Sequence, residues 1–397
     1  MSQAADRHHG VTVTESVEGI RVIDNIASNI IGVVAVSDDA DPDVFPLDTP
    51  VFHTSAYRVL GKAGNTGNLK KVLSSIVDQA DCRVIVVRVA AGNTFEETTK
   101  NIIGTAEGDN YTGLQALRRA KAVTGLAPKI LGVPDYDTLA VATELVSVAQ
   151  ALNAFCYCKA YGETISEIGE YRKNFGQREI MLIDNDFLIS DGVTTEKSTI
   201  ACVLGARAKL DKEIGFHKSI SNTVVNGVIA LDKHRTFDLL DKNCEANAIN
   251  NFDVTTLIRD DGFRIWGNRG CAVDSLVAFE VAVRTAQIVR ETIASSFMWA
   301  LDQPMHPTLL RDVGMTINRK LADYVNNGQM LGARVYVDES LNDTTAITNG
   351  IFRFDYEFTP VPPLENLKLA QHLTDTFTVN LVDKTVSFVN SFPVATV

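Results

Sequence analysis

The sequence predicts an α/β region with a mostly parallel sheet, a separate α+β region after it, and extended strand arms at both termini. Three observations predict this. From about residue 69 to 215, helical and β-branched stretches alternate, which is the grammar of right-handed βαβ units. After about residue 250 two long helical patterns come first and strands follow, as in α+β folds. Both chain ends alternate apolar and polar residues, the mark of a strand with one apolar face.

Taken in order, residues 69–80 place Leu69, Val72, Leu73, Ile76 and Val77 at helical spacing, and 83–89 form a β-branched strand. Residues 112–124 read as a helix, and 129–134 as a buried strand closed by Pro134-Asp135. A helix over 139–152, a strand over 154–160, a helix over 165–175, a strand over 179–183 and a long helix over 195–214 complete the alternation. Beyond it, 263–267 is a short strand with a turn. Residues 273–299 run helical with no Gly or Pro until Pro304 and Pro307. A second helix over 309–325 stops at Asn326-Asn327-Gly328, and strands follow over 333–338, 350–359 and 376–392. At the front, Val11-Thr12-Val13-Thr14 alternate, Val17 keeps the phase and Glu15 breaks it. At the back, Phe377, Val379 and Leu381 alternate with Thr378, Asn380 and Val382, and Val386 and Phe388 resume the pattern after Asp383-Lys384. Pattern alone leaves two readings open: each terminal strand pairs inside its own domain, or it is given to another chain.

The chain has 397 residues, and single cores stop growing beyond roughly 250–300, so two or three domains are expected. Hydrophobic residues at 45% and charged ones at 22% exclude global disorder. Lys and Arg total 37 against 49 Asp and Glu, a net charge of −12 that repels polyanions. The tightest basic cluster, Arg118-Arg119 with Lys121, is too small for a nucleic-acid footprint, so no direct nucleic-acid partner is expected. The apolar run 30–36 falls far short of the roughly 20 residues of a bilayer span, so no membrane insertion is expected either. Residues 1–15 are polar and carry no signal core, which sets the expectation of folding in a cytoplasm. The six cysteines show no framework of spacings and read as buried free thiols.

Motifs that carry chemistry are sparse. Gly61-Lys62-Ala63-Gly64-Asn65-Thr66-Gly67 is glycine-rich but lacks the order of a phosphate-binding loop, and reads as a flexible surface loop. Cys156 and Cys158 share one face of a strand, without the further ligands a zinc site needs. His8-His9 lacks partner ligands, and Asp184, Asp186 and Asp191 after a strand read as turn formers. No nucleophile elbow and no HExxH occur, so no catalytic residue, metal or cofactor is expected and the protein is not read as an enzyme.

Several segments together resemble the tail sheath proteins of contractile-tailed bacteriophages and R-type pyocins. They are His8-His9-Gly10-Val11-Thr12-Val13-Thr14-Glu15, then Ile30-Ile31-Gly32-Val33-Val34, then Phe45-Pro46-Leu47-Asp48-Thr49-Pro50-Val51. Pro128-Lys129-Ile130-Leu131-Gly132-Val133-Pro134 and Asp261-Gly262-Phe263-Arg264-Ile265-Trp266-Gly267-Asn268-Arg269 follow. Gly328-Gln329-Met330-Leu331-Gly332-Ala333-Arg334-Val335 and Pro360-Val361-Pro362-Pro363-Leu364-Glu365-Asn366 complete the set, whose order and spacing are specific from residue 8 onward. After Trp266-Gly267-Asn268-Arg269 the family usually continues with a hydroxyl residue, whereas this chain has Gly270-Cys271.

The resemblance implies a structural subunit that polymerises with itself, from hexameric rings, into a helical sheath around a tail tube. It implies contraction that drives the tube through a host envelope. It also implies tube, baseplate and tail-terminator proteins as partners, and a place in the virion tail after assembly in a bacterial cytoplasm. Open helical stacks follow from heterologous contacts that do not close. The implied organisation is an N-terminal arm over 1–22, an outer α/β part over 23–255, an inner α+β part over 256–370 facing the tube, and a C-terminal arm over 371–397. In such sheaths the chain ends add strands to neighbours, which is β-augmentation. Here the arms would be Val11–Thr14 and 378–389, with Phe377, Val379, Leu381, Val386 and Phe388 as the apolar face of the second. The receiving sheet would be Arg334, Val335, Tyr336 and Val337 with Phe352, Phe354 and Tyr356. Linkers over 18–29 and 365–375 would be the hinges, and Arg311, Asp312, Arg319 and Lys320 are candidates for tube contact. The rival from another class is a nucleotide-binding α/β enzyme, whose glycine fingerprint is missing. A DNA-free pyocin-like particle would use the same subunit.

Overall fold

The structure, a computed structural model, describes residue 23 and residues 25–190 and 195–392. The first arm segment, Val11–Thr14, and Asp191 lie outside the described residues.

Six strands form the central sheet: β1 (Ile31–Val36), β2 (Val51–His53), β3 (Val84–Val89), β4 (Ile130–Gly132), β5 (Phe155–Lys159) and β6 (Ile180–Ile183), in the order β2-β3-β1-β4-β5-β6. All neighbours are parallel except β2, which runs antiparallel against the edge of β3. Every residue of β1 and β3 is buried, because crossover helices cover both faces of a parallel sheet. Side chains alternate between two cores. Val33 and Ala35 share a core with α1 (Leu69–Gln79) on one face, while Val34 and Val36 share a core with α2 (Leu139–Leu152) on the other. A further helix, α3 (Thr199–Glu213), lies beside α1. Gly205 permits that approach, since a Cβ there would stand 2.8 Å from the Ile76 carbonyl oxygen. Full burial of a Leu or Ile side chain stabilises by about 1.5–3 kcal/mol, so Leu73 and Ile76 alone outweigh any exposed ion pair on these helices.

Several boundaries differ from the sequence reading. The helix expected over 195–214 begins only at Thr199, because Thr195–Lys197 pairs as a strand with Phe187–Ser190. The helix expected over 112–124 is three short turns, Gly113–Ala116, Leu117–Arg119 and Ala120–Thr124. The run expected from 273 becomes helical only at α4 (Glu280–Ser295). Asp274 caps a separate 3₁₀ turn, Ser275–Val277, by accepting from the Leu276 N–H at 2.9 Å.

A smaller body completes the first unit. Helix α4, helix α5 (Pro307–Asn326) and the antiparallel hairpin of β7 (Met330–Tyr336) with β8 (Asp355–Pro360) enclose Ile288, Val289, Ile293, Ile317, Leu321, Tyr324 and Met330. The core under the sheet continues past residue 256. Leu257 and Ile265, on the hairpin Thr256–Arg259/Phe263–Trp266, and Val283 of α4 belong to the core under the sheet, so the change of packing falls within α4.

The chain divides into a first unit ending at Pro363 and a second from Leu364. In the second, the segment expected as a strand over 376–392 is instead helix α6 (Thr378–Asn390). Its apolar residues satisfy both the two-residue and the 3.6-residue period. With no strand beside it among the described residues, only i→i−4 bonds satisfy its backbone locally.

Candidate assembly surfaces

The crevice where the strand order reverses, beyond the carboxyl ends of β1 and β4, is where doubly wound proteins hold nucleotides. In this chain the loop of residues 61–67 is bonded to the segment that follows β1, beside that place. The Asn68 side chain accepts from the Val36 N–H at 2.9 Å and donates to the Pro134 carbonyl at 2.8 Å. Ser37 donates to the Ala63 carbonyl at 3.0 Å. Asp39 accepts from the N–H groups of Asn65 and Thr66, each at 2.9 Å, and from the Thr66 hydroxyl. These bonds, the Thr66 hydroxyl foremost, hold the Asp39 carboxyl well below its ordinary pKa. Gly67 sits at φ +74°, and a Cβ there would lie 2.2 Å from the Val36 carbonyl oxygen. The 61–67 loop, expected to be a flexible surface, is an exposed loop pinned by these bonds to the segment that follows β1.

The other sequence candidates resolve into structural roles. Cys156 and Cys158 are wholly buried in one core, and the Cys158 thiol is pushed far above its ordinary pKa by the hydrogen bond to Cys156 and by burial. Asp184 and Asp186, expected as turn formers, are buried ion-pair partners. Asp184 meets Arg235 at 3.2 Å, and Asp186 meets Lys159 and, at 3.5 Å, Lys197.

The β7/β8 hairpin brings together most of the proposed receiving residues. Arg334 lies opposite Glu357, Val335 opposite Tyr356, and Tyr336 opposite Asp355. Val335, Tyr356 and Phe358 face the helices, and Arg334 and Glu357 point outward in an ion pair of 2.6 Å. Val337 follows β7, while Phe352 and Phe354 precede β8 with ring centroids 5.0 Å apart. The sheet has only two strands, so among the described residues each strand has one edge without a neighbouring strand. Isolated hairpins are marginal in water, and this one is held by packing its inner face on α4 and α5.

The tube-contact candidates separate. Arg311, Asp312 and Arg319 reach the surface of α5. Lys320 does not: it is 8% exposed, and its ammonium donates to the Ile23 carbonyl at 2.7 Å. Its position on α5 faces the strap formed by Ile23 and residues 25–29 instead of solvent. That strap is tied at two further points, Tyr324 OH to Asn25 Oδ1 at 2.8 Å and the Ile26 N–H to Thr292 Oγ1 at 3.5 Å. The described part of the linker expected over 18–29 is therefore fixed to α4 and α5.

Helix α4 carries a feature the sequence reading passed over. Glu280, Arg284, Gln287 and Glu291 fall at i, i+4, i+7 and i+11, one polar stripe, and it faces the α/β part. Glu280 accepts from Tyr157 and from Arg207 at 3.3 Å. Arg284 reaches Asp211, which also accepts from Arg207 Nε at 3.0 Å. Gln287 donates to the Ala154 carbonyl at 2.8 Å, and Asn153 donates to the Gln287 carbonyl at 2.8 Å. Glu291 takes the buried ammonium of Lys129, which also donates to the Leu152 carbonyl at 2.8 Å. Burial pulls the Lys129 pKa down, Glu291 opposing it. Burial pushes the Tyr157 hydroxyl far up, and the Glu280 charge adds to this. Desolvation works against the Arg207 charge, yet Asp211 and Glu280 more than offset it and raise its pKa. Removing one member of such a buried set costs about 3–5 kcal/mol, because its partner charge is stranded. The polar spacing was present in the sequence. Its direction was not, since a polar stripe ordinarily faces water.

The second unit offers its apolar groups to solvent. Phe377, Leu381, Val386 and Phe388 are all exposed on or beside α6; the Val379 side chain lies outside the described set. Ahead of α6, residues 361–375 have no regular structure, and Leu367, Leu369 and Leu373 alternate with Lys368, Ala370 and His372. These three leucines are 66%, 85% and 93% exposed.

No helix among the described residues is long and apolar enough to cross a membrane. Comparison with known proteins agrees with the resemblance carried by the motifs. The profile of the phage tail sheath protein central domain matches residues 109–271, and that of the phage tail sheath C-terminal domain matches 272–374. The chain is 46% identical to the tail sheath protein of Escherichia phage P2 over 389 residues, 95% of this chain and 98% of that one. It is 44% identical to the major tail sheath protein of Serratia phage KSP20, over 93% of this chain and 96% of that one. Its fold is that of the anti-feeding prophage helical sheath in its contracted state, with a TM-score of 0.67 at 15% identity over 94% of this chain and all of the other. The sheath of an extracellular contractile injection system, also contracted, gives 0.65 at 14% identity over 95% of this chain and all of the other. With two profiles covering most of its length and full-length relatives above 40% identity, the chain belongs to the phage tail sheath protein family.

Proposed function

We propose that this sheath subunit is joined to its neighbours by strand addition: segments from the two chain ends lie along the free edges of the β7/β8 hairpin of other copies. The carrying observation is that hairpin, a two-stranded sheet with its inner face covered and one edge of each strand unpaired. Backbone bonds along those edges supply affinity, and alternate side chains supply register. At the front the donated segment is Val11–Thr14. At the back it moves from 378–389, which is helical, to 365–373, where Leu367, Leu369 and Leu373 alternate on an exposed segment that forms no ladder among the described residues.

Subunits linked in this way form hexameric rings stacked helically around a tail tube, bounded by baseplate and terminator proteins, within the virion tail. Contraction is a one-way passage to a lower free-energy lattice, held back by contacts to the tube and baseplate. Two packings of one sequence differ by a few kcal/mol, and many subunits in series sum to a large drive. Arg311, Asp312 and Arg319 are the groups proposed to face the tube. The test is deletion of residues 1–15. The expected product is a folded monomer that yields no polysheaths in negative stain, and normal sheaths from the truncated chain would remove the proposal.

A further inference from the structure

We infer that Lys320 and Tyr324 form an anchor that fixes where the N-terminal arm leaves the subunit, so that Ile23 and Asn25 are held to α5. The inference rests on the strand-addition reading above and adds the point of attachment.

Chain ends ordinarily fray unless side chains tie them down. Here a stretch without regular secondary structure is tied by groups from two helices. The Lys320 ammonium, buried with its residue, donates to the Ile23 carbonyl at 2.7 Å and stands 5.0 Å from the centre of the Tyr324 ring. The Tyr324 hydroxyl holds Asn25 at 2.8 Å, and its ring meets Phe216 edge-on at 6.0 Å. Ile23 is 7% exposed, and Ile26 packs on the core shared by α4, α5 and the hairpin. Burying a lysine ammonium is costly unless it is bonded, so its place under the strap is a specific feature of this helix and not a solvated face.

The anchor does two things for an arm that holds a neighbour. A fixed exit shortens the free tether and raises the effective concentration of the arm at the next hairpin. It also gives tension a route inward: the strap is bonded to α5 by Lys320 and Tyr324 and touches α4 at Thr292, next to Glu291 of the polar stripe. From there the Glu291–Lys129 ion pair carries it into the α/β part.

The test uses the full chain with Lys320→Met, and with Tyr324→Phe as the milder change should the first fail to fold, thermal unfolding serving as the folding check. Loss of one such bond should speed amide exchange over 25–29 about tenfold and raise the protein concentration needed for polysheaths by about the same factor. Deletion of 1–15 runs in parallel. Unchanged exchange in a folded variant overturns the anchor. Faster exchange with an unchanged polymerisation threshold overturns it too, and leaves strand addition standing if the deletion still blocks polysheaths. Polysheaths from the deleted chain bring down both.

Discussion

Asp137 lies 1% exposed beyond β4, its carboxylate accepting from the Lys159 N–H and from the Tyr161 hydroxyl at 3.2 Å. Burial, only partly opposed by those bonds, pushes its pKa from 3.8 up to about 6. The folded chain therefore takes up this proton more readily than the unfolded one. The stability it contributes is complete below pH 3.8 and is lost as pH rises through about 6. A gap of about two units corresponds to about 3 kcal/mol. Asp137→Asn, which has no proton to lose, should gain on the parent protein by about that amount between pH 4 and 7 in urea unfolding. An equal difference at both pH values would show that burial does not set this proton. Single residues of this kind were the least legible part of the sequence. Lys320 looked like a surface lysine because pattern records which helical face a residue occupies, not what chain end will lie across it.

At the scale of elements the sequence was most legible where burial is two-sided. Strands such as Val84–Val89 are apolar at every position but Arg88 because helices cover both faces, and the helices between them keep a 3.6-residue stripe. It misled where two periods coincide. Helix α6 has six β-branched residues among its 13, and its alternation reads equally as strand. Short isolated helices are marginal in water, and α6 leaves its apolar face uncovered. A synthetic peptide of residues 375–392 should accordingly show little helix by circular dichroism in buffer and gain it in trifluoroethanol. Strong helicity in buffer would mean that the helix owes nothing to a partner surface.

For the whole molecule, the four apolar clusters are built from residues up to Phe358. Removing residues 364–397 should therefore leave the melting temperature of the remainder within about 2 °C of the parent, no more than about 1 kcal/mol produces in a chain above 150 residues. A larger fall in a calorimetric scan would make the second unit part of the folding core. The layered α/β part could be read from sequence because its strands and helices complete one another within a single chain. The assembly surfaces could not, since the hairpin edges and the leucines at 367, 369 and 373 find no complement there.

The hairpin edges also bear on how long the finished structure grows. If, as proposed, a row of backbone groups accepts one more copy, the same row is presented again on the copy it has accepted, and nothing in the subunit counts. Filament extent must be measured by a separate ruler, and subunits polymerising without one should give a broad spread of lengths with no preferred value.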